Sequence, residues 1–268
     1  MAVPFLTPSL LHAAPGNPTL LLGPSLGTGA LQLWAPSVDY LKQHFQLVAW
    51  DLPGHGHSAP STEPFSMSEL ATAVLNLMHT LQADGVIDSG SGLLYAGVSV
   101  GGAVGLQLAH DAPGTFQALS VICTAAKIGE TEGWQQRAEL VSRAGTPTMV
   151  TGSAQRWFAP GFMERNPVIA TNLLHSLQVA DRFSYAHVCG ALADFDLRKA
   201  LPTLTDPLLA IAGAHDAVCP PADAERIGTQ APHGRWAVVE SAAHLAPAEA
   251  PEATAKLLLD FFTPKEQR

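Results

Sequence analysis

The chain has 268 residues, of which 47% are hydrophobic and 14% are charged, so it is long enough to bury one large core and too poor in charge to be disordered. Its formal net charge is −9, with only 14 lysines and arginines. Because nucleic-acid binding requires a clustered basic surface, this composition argues against a nucleic-acid partner.

Short apolar runs alternate with amphipathic stretches in the first part of the chain. Residues 5–13, 19–22 and 45–51 are predicted strands, and apolar residues within 31–41 and 67–82 recur at the spacing of a helix. The run at 19–22 is continuously apolar, which is typical of a strand that is buried on both faces.

The segment around Ser99 predicts a strand, a sharp turn and a helix in succession. An apolar run at 93–98 leads into Gly-x-Ser-x-Gly at 97–101, and helical spacing follows at 103–110. In such a turn the serine lies at the apex in a strained conformation, and the two glycines remove side chains that would collide. The alternative interpretation is that Ser99 is only a helix N-cap, a position that serine favours.

The sequence pattern changes after a predicted strand at 118–124. Residues 127–197 are helical in pattern, are interrupted by prolines and contain no convincing strand. Beyond them, alternating strands and helices are predicted at 208–212, 222–229, 236–240 and 252–262.

This alternation predicts an α/β fold with a mainly parallel sheet and helices on both faces, because parallel neighbours need crossover connections. The predicted domain organisation is a first core part at 1–126, an inserted helical cap at 127–197 and a second core part at 198–268. Ligands of such sheets bind at the carboxyl ends of the strands, so we expect the site there.

Three side chains with catalytic potential follow predicted strands at that edge. Ser99, Asp216 and His244 occur in the order of a known Ser-Asp-His triad on α/β sheets. A serine hydroxyl is a weak nucleophile until a base removes its proton, and neutral imidazole does this near pH 7. The Asp216 carboxylate would hold His244 in the required tautomer and stabilise the imidazolium. Together these residues predict acyl transfer through Ser99.

Other titratable residues near these positions are weaker candidates. His215 adjoins Asp216 but lies on the same loop and is expected to point elsewhere. Asp223 is another nearby acid, and Asp206 precedes its strand, at the end away from the predicted site.

Two backbone N–H groups are predicted to bind the oxyanion that develops during attack. Val100 directly follows the nucleophile, and Leu26 lies in the glycine-rich loop 23–29. The alternative for this loop is a plain glycine-rich turn. It lacks the Gly-Lys-Ser/Thr ending of a phosphate-binding loop.

His55 and His57 raise the alternative of a metal site, since paired histidines bind zinc. No third ligand follows at short range. We therefore interpret residues 51–58 as a loop that supports the pocket floor, and we predict no metal.

The cysteines and the N-terminus predict the compartment. Cys123, Cys189 and Cys219 make an odd count, which predicts no disulfide framework and a reducing environment. The first residues lack the features of a signal peptide, and no apolar run approaches the roughly 18 to 20 residues that span a bilayer. We expect a cytoplasmic protein with no membrane partner and leave its oligomeric state open.

Several stretches resemble α/β-hydrolases, and some resemble the 3-oxoadipate enol-lactonases in particular. The general resemblance lies in residues 24–28, 51–58 and 96–102. The more specific one lies in Thr-Ala-Ala-Lys-Ile-Gly at 124–129 with Trp134, Trp-Phe-Ala-Pro-Gly-Phe at 157–162 and Cys-Gly-Ala-Leu-Ala-Asp-Phe-Asp-Leu-Arg at 189–198. The similarity spans nearly the whole chain. One departure is Pro53, where members often carry arginine.

The resemblance implies hydrolysis of a five-membered enol-lactone with a carboxymethyl arm to 3-oxoadipate, in aromatic-compound degradation and without a metal or organic cofactor. In a chain of net charge −9, the substrate carboxylate would need a local positive group. Trp134 and Arg137 are three residues apart on a predicted helix and share a face. We predict that they line the pocket, with Lys127 and Trp157 as further candidates. The alternative is that Trp134 only packs and Arg137 is a solvated charge.

Other functions would use the same fold. A general carboxylesterase or a cofactor-free haloperoxidase-like hydrolase would need the same three residues. A non-catalytic ligand-binding relative belongs to a different class, and the intact set of Ser99, Asp216 and His244 argues against it.

Overall fold

Seven strands form one sheet in the computed structural model, which describes residues 2–88 and 90–263. Their order across the sheet is β1-β3-β2-β4-β5-β6-β7. The strands are β1 (Pro8–His12), β2 (Thr19–Gly23), β3 (Gln46–Trp50), β4 (Leu93–Val98), β5 (Ala118–Ile122), β6 (Leu208–Gly213) and β7 (Gly234–Val239). Edge strand β1 is antiparallel to β3, and every other neighbouring pair is parallel. The predicted mainly parallel α/β sheet is confirmed.

Eleven α-helices accompany these strands in the described part of the chain. They are α1 (Ala30–Leu41), α2 (Met67–Ala83), α3 (Val100–Asp111), α4 (Thr131–Ala144), α5 (Val150–Trp157), α6 (Phe162–Arg165), α7 (Pro167–Val179), α8 (Arg182–Asp194), α9 (Pro221–Gln230), α10 (Ala246–Glu249) and α11 (Pro251–Phe262). Helix α1 packs against α10 and α11, and α2 packs against α3. Every residue of β2, β3 and β5 is buried, as in a sheet that is covered on both faces.

Five of the helices, α4 to α8, lie between β5 and β6 in the chain, and α4 packs closely against α8. We call the segment 127–197 the cap. Its N-terminal boundary follows β5, and the Leu197 N–H donates back to the carbonyl of Ala126 at 2.8 Å. The division of the chain into core and cap domains stays a prediction.

The register of the sheet aligns the strand ends that precede the predicted site. Gly23 at the end of β2 pairs with Gly97 in β4, and Gly213 at the end of β6 pairs with Val239 at the end of β7. The loops that follow these strands therefore leave the sheet at one edge, where the structure can bring their side chains together.

Two fully buried aromatic residues donate hydrogen bonds to the backbone at that edge. The Trp34 indole N–H donates to the carbonyl of Gly23 at 3.0 Å, and the Tyr95 hydroxyl donates to the carbonyl of Gly101 at 2.7 Å. Burial of such a ring contributes about 1.5–3 kcal/mol to stability. The hydrogen bond at its polar end gives each ring one orientation.

No helix among the described residues is both long enough and apolar enough to cross a bilayer.

Candidate active site

Ser99 occupies a tight turn between β4 and α3. Its φ is 55° and its ψ is −114°, a conformation that non-glycine residues rarely adopt. A Cβ at Gly97 would lie 2.3 Å from the carbonyl oxygen of Gly101, and a Cβ at Gly101 would lie 2.5 Å from that of Pro24. Only glycine fits at both positions. The Ser99 side chain makes no capping hydrogen bond to α3, so its hydroxyl is available for another partner.

That partner is His244. The Nε2 atom of His244 lies 2.9 Å from Ser99 Oγ, and its Nδ1 atom lies 2.8 Å from Asp216 Oδ2. All three residues are buried, with at most 7% of their surface exposed. The arrangement fits a neutral imidazole with its proton on Nδ1, donating to Asp216 and accepting from the serine hydroxyl.

Asp216 is itself held by the backbone that follows it. Its Oδ1 atom accepts hydrogen bonds from the N–H groups of Val218 at 2.8 Å and Cys219 at 3.0 Å. The carboxylate therefore directs Oδ2 toward His244 without help from another side chain. This geometry can transfer a proton from Ser99 to His244 and stabilise the resulting imidazolium.

The alternative acids and base lie elsewhere. Asp206 accepts a hydrogen bond from the Gly114 N–H at 2.8 Å, near the start of β6. Asp223 lies in the first turn of α9, where burial raises the pKa of its carboxyl. His215 is exposed. None of the three is hydrogen-bonded to the Ser99 or His244 side chain.

Two backbone donors close to Ser99 in the fold have no acceptor in the described part of the chain. Among the described residues, the N–H groups of Leu26 and Val100 make no hydrogen bond, whereas the neighbouring Gly101 N–H donates to the carbonyl of Pro24 at 2.9 Å. This bond ties the loop that carries Leu26 to the turn that carries Ser99. The pair can supply the two donors that an oxyanion requires.

A cavity of about 220 Å³ opens above Ser99 between the core and the cap. Its core side includes Leu26, Ser99, Val218 and His244. Its cap side includes Ile128, Glu130, Trp134, Arg137, Ser153, Arg156, Trp157 and Tyr185. The cavity can hold a small molecule with apolar and anionic parts.

The structure places three of the four predicted cap residues on this cavity. Trp134 and Trp157 line it, and the Arg137 guanidinium stacks over the Trp134 ring at 4.7 Å from the ring centroid. Lys127 is not among the lining residues. Its ammonium lies 3.9 Å from a carboxylate oxygen of Glu130, at the cavity rim.

The sequence interpretation missed Arg156, which brings a second positive charge to the cavity. Burial and the charge of Arg137 both lower the pKa of the Arg156 guanidinium. Among the described residues, neither Arg137 nor Arg156 has a carboxylate within 4.0 Å. The sequence does contain a signal for Arg156. Arg156 and Trp157 follow Ser153 by three and four residues, so the three side chains share one face of α5.

Tyr185 on α8 is a second residue that sequence reasoning missed. Burial raises the pKa of its hydroxyl to about 12, so the phenol is neutral at physiological pH. Its ring stacks on His55, with ring centroids 6.0 Å apart. Nothing in the spacing of α8 distinguishes Tyr185 from the apolar residues around it.

The paired histidines of the 51–58 loop point to different partners. The Nδ1 atom of buried His55 lies 2.9 Å from the carbonyl of Pro53, whereas that of exposed His57 lies 3.3 Å from the Ser9 hydroxyl. In the described part of the chain, no three His, Cys, Asp or Glu side chains are grouped as metal ligands would be.

Known proteins are similar to most of the chain. Residues 10–257 match the model of the alpha/beta hydrolase family. The chain is 36% identical to 3-oxoadipate enol-lactonase 2 of Acinetobacter baylyi, over 88% of this chain and 85% of that protein. It is 31% identical to 3-oxoadipate enol-lactonase 1 of the same organism, over 91% of this chain and 88% of that protein.

A solved structure shows the same likeness in three dimensions. The enol-lactonase from Burkholderia xenovorans superposes with a TM-score of 0.89 at 31% identity. The match covers 97% of this chain and 96% of that one, so it includes the cap as well as the sheet.

Proposed function

Because the chain belongs to the alpha/beta hydrolase family and is a hydrolase that acts on ester bonds, we propose that it opens a small enol-lactone bearing a carboxylate, using Ser99 as the nucleophile. The proposed substrate is 3-oxoadipate enol-lactone, and the proposed role is in the degradation of aromatic compounds. The named relatives and the residues that line the cavity support this assignment.

In the first half of the proposed reaction, Ser99 Oγ attacks the lactone carbonyl while His244 Nε2 takes the hydroxyl proton. The 2.9 Å distance between these atoms allows the transfer without rearrangement. Negative charge moves to the carbonyl oxygen, where the N–H groups of Leu26 and Val100 can donate to it. Collapse of the intermediate breaks the ring C–O bond, and the enol oxygen leaves with the proton held by His244.

In the second half, water hydrolyses the acyl-enzyme. His244 takes a proton from the water as it attacks the Ser99 ester, and returns it to Ser99 Oγ as the acid departs. The freed enol then tautomerises to the ketone. The chain's own residues supply every group in these steps, so the proposed mechanism uses no metal or organic cofactor.

The substrate class rests on one observation: two arginines on the cavity have no carboxylate partner within the described ranges 2–88 and 90–263. Arg137 and Arg156 face the same cavity as Ser99 in a chain whose net charge is −9. Partly buried positive charges are costly unless an anion neutralises them. A carboxylate on the substrate would do so, and guanidinium groups bind carboxylates with two parallel hydrogen bonds.

The test compares a carboxylated and a neutral substrate. We expect the wild-type protein to hydrolyse 3-oxoadipate enol-lactone with a higher kcat/KM than p-nitrophenyl acetate. Replacing Arg137 or Arg156 by alanine should lower kcat/KM for the lactone about 10- to 100-fold, since a hydrogen bond to a charged group contributes roughly 1.5–3 kcal/mol. The same variants should change kcat/KM for the ester less than about threefold, because p-nitrophenyl acetate is neutral and has no carboxylate for the arginines to bind.

Lys127→Ala is the matched control, because it removes a cap cation that does not line the cavity. Its kcat/KM should match the wild type within about twofold for both substrates, because the ion pair of Lys127 with the exposed Glu130 is open to solvent and Lys127 is not among the lining residues. Equal losses on the lactone and the ester in the arginine variants would exclude carboxylate binding by the pair. A strong preference for the ester in the wild type would identify a general carboxylesterase instead.

A further inference from the structure

The loop that carries His244 is fixed by three consecutive backbone N–H groups. Those of Ala243 and Leu245 both donate to Glu249 Oε1 at 3.0 Å. The N–H of His244 itself donates to the carbonyl of Trp157 at 3.1 Å. The backbone on both sides of the imidazole is therefore held by one carboxylate and one cap carbonyl.

The same carboxylate also reaches the cap. Its second oxygen, Glu249 Oε2, accepts a hydrogen bond from the Ala159 N–H at 2.6 Å. Ala159 lies two residues beyond Trp157, whose side chain lines the cavity and whose carbonyl holds His244. One side chain thus joins the loop 243–245 to the cap segment 157–159.

We propose that Glu249 is a positioning residue, which acts through His244 by fixing the imidazole relative to Ser99 and to the end of α5. The inference rests on the proposed function, because it takes His244 to be the base. It adds a link between the cap and the base: a displacement of segment 157–159 would be transmitted through Glu249 and the Trp157 carbonyl to the His244 backbone.

A carboxylate is suited to this position because of its acceptor count. Its two oxygens offer about four lone-pair sites and no donor, and here they receive three N–H groups. Burial raises the pKa of Glu249, while the hydrogen bonds from Ala159, Leu245 and Ala243 lower it. Burial is the larger effect and the pKa is raised on balance, so the three donors offset only part of the cost of removing the charged group from water.

Glutamine at position 249 would distinguish the hydrogen bonds to the loop 243–245 from the hydrogen bond to the cap. In Glu249→Gln the amide oxygen can still accept from Ala243 and Leu245, but the amide NH₂ would then face the Ala159 N–H, donor against donor. Glu249→Ala removes all three hydrogen bonds. Glu252→Gln is the matched control, since Glu252 is an exposed acid three residues further along the chain.

The experiment measures reaction at Ser99 itself, with a fluorophosphonate probe, together with steady-state hydrolysis of p-nitrophenyl acetate. We expect Glu249→Gln to label to the wild-type stoichiometry but about tenfold more slowly, and Glu249→Ala about 100-fold more slowly. Small misplacements of catalytic groups have effects of this size. Because His244 serves both acylation and deacylation, kcat for the ester should fall by similar factors while KM stays within about twofold.

Several results would overturn the inference. If Glu249 only stabilised the fold, a smaller fraction of the chains would react with the probe, but those chains would react at the wild-type rate. Wild-type rates in both Glu249 variants, with normal labelling of the wild type at Ser99, would remove the positioning role and leave the proposed function intact. Failure of the wild type to label at Ser99 would overturn both. Circular dichroism checks folding, and the nearly isosteric Glu249→Gln variant carries the test if Glu249→Ala does not fold.

Discussion

The two sides of the cavity are built in opposite ways. On the core side, Ser99, His244 and Asp216 are buried and already hydrogen-bonded to one another at 2.8–2.9 Å. On the cap side, Arg137 and Arg156 are half-buried and have no carboxylate partner among the described residues. In the proposed reaction, the core groups are therefore preorganised before substrate arrives, whereas the cap cations would gain a carboxylate partner only when substrate binds.

This contrast follows from how each side is folded. The core residues follow the parallel strands β4, β6 and β7, and backbone hydrogen bonds hold the loops that carry them. The cap residues lie on helices such as α4, whose buried residue is Val141. Substitutions on the core side should therefore act mainly on kcat, and those on the cap side mainly on KM and on the choice of substrate.

The largest expected effect is that of Ser99→Ala. Removing the nucleophile should lower kcat at least about 10⁴-fold for both the lactone and p-nitrophenyl acetate, as in other serine hydrolases. The unfolding midpoint should change little, because the hydroxyl makes one hydrogen bond, with His244 Nε2, and no capping bond to α3. Undiminished turnover by the purified variant would exclude Ser99 as the nucleophile.

Asp216→Asn should give the next largest effect. The amide can still accept from the Val218 and Cys219 N–H groups, but it no longer stabilises the His244 imidazolium or selects the Nδ1-protonated tautomer. We expect kcat to fall about 10³- to 10⁴-fold with KM for p-nitrophenyl acetate nearly unchanged. Asp223→Asn, a change to a nearby acid outside the triad, is the control, and losses of the same size in both variants would contradict the assignment.

The smallest of these effects is expected on the cap side, from Trp134→Phe. The indole N–H donates to the carbonyl of Ile128 at 2.5 Å and its ring supports the Arg137 guanidinium. A cation–π contact is worth about 0.5–1 kcal/mol, so KM for the lactone should rise about two- to fivefold with kcat little changed. Trp236→Phe, on edge strand β7, is the matched control. A fall in kcat without a change in KM would contradict the division between the two sides.

The same division explains which residues could be predicted from the sequence. Ser99 and Asp216 follow buried apolar strands, and His244 follows the partly exposed edge strand β7, so the predicted sheet is enough to bring the three to one edge. The glycines at 97 and 101 added a local signature of the turn.

The cap gave a weaker signal, because helical spacing shows which residues share a face but not which face lines a cavity. Tyr185 reaches the cavity because α8 packs against α4, and Arg156 lies on α5, which packs against α7. These crossings depend on tertiary packing rather than on spacing within one helix. Lys127 was predicted to face the substrate, but it lies beside Glu130 at the rim, where helical periodicity gives no guide because α4 begins only at Thr131.

The arginine pair also has a consequence for the approach of substrate. At a distance, a chain of net charge −9 repels an anionic lactone, and this repulsion is screened over a Debye length of about 8–10 Å at physiological salt. Inside the cavity, where screening is weaker, the positive charges of Arg137 and Arg156 oppose this repulsion. For the proposed anionic substrate, added salt should therefore weaken the long-range repulsion more than the short-range attraction to the two arginines.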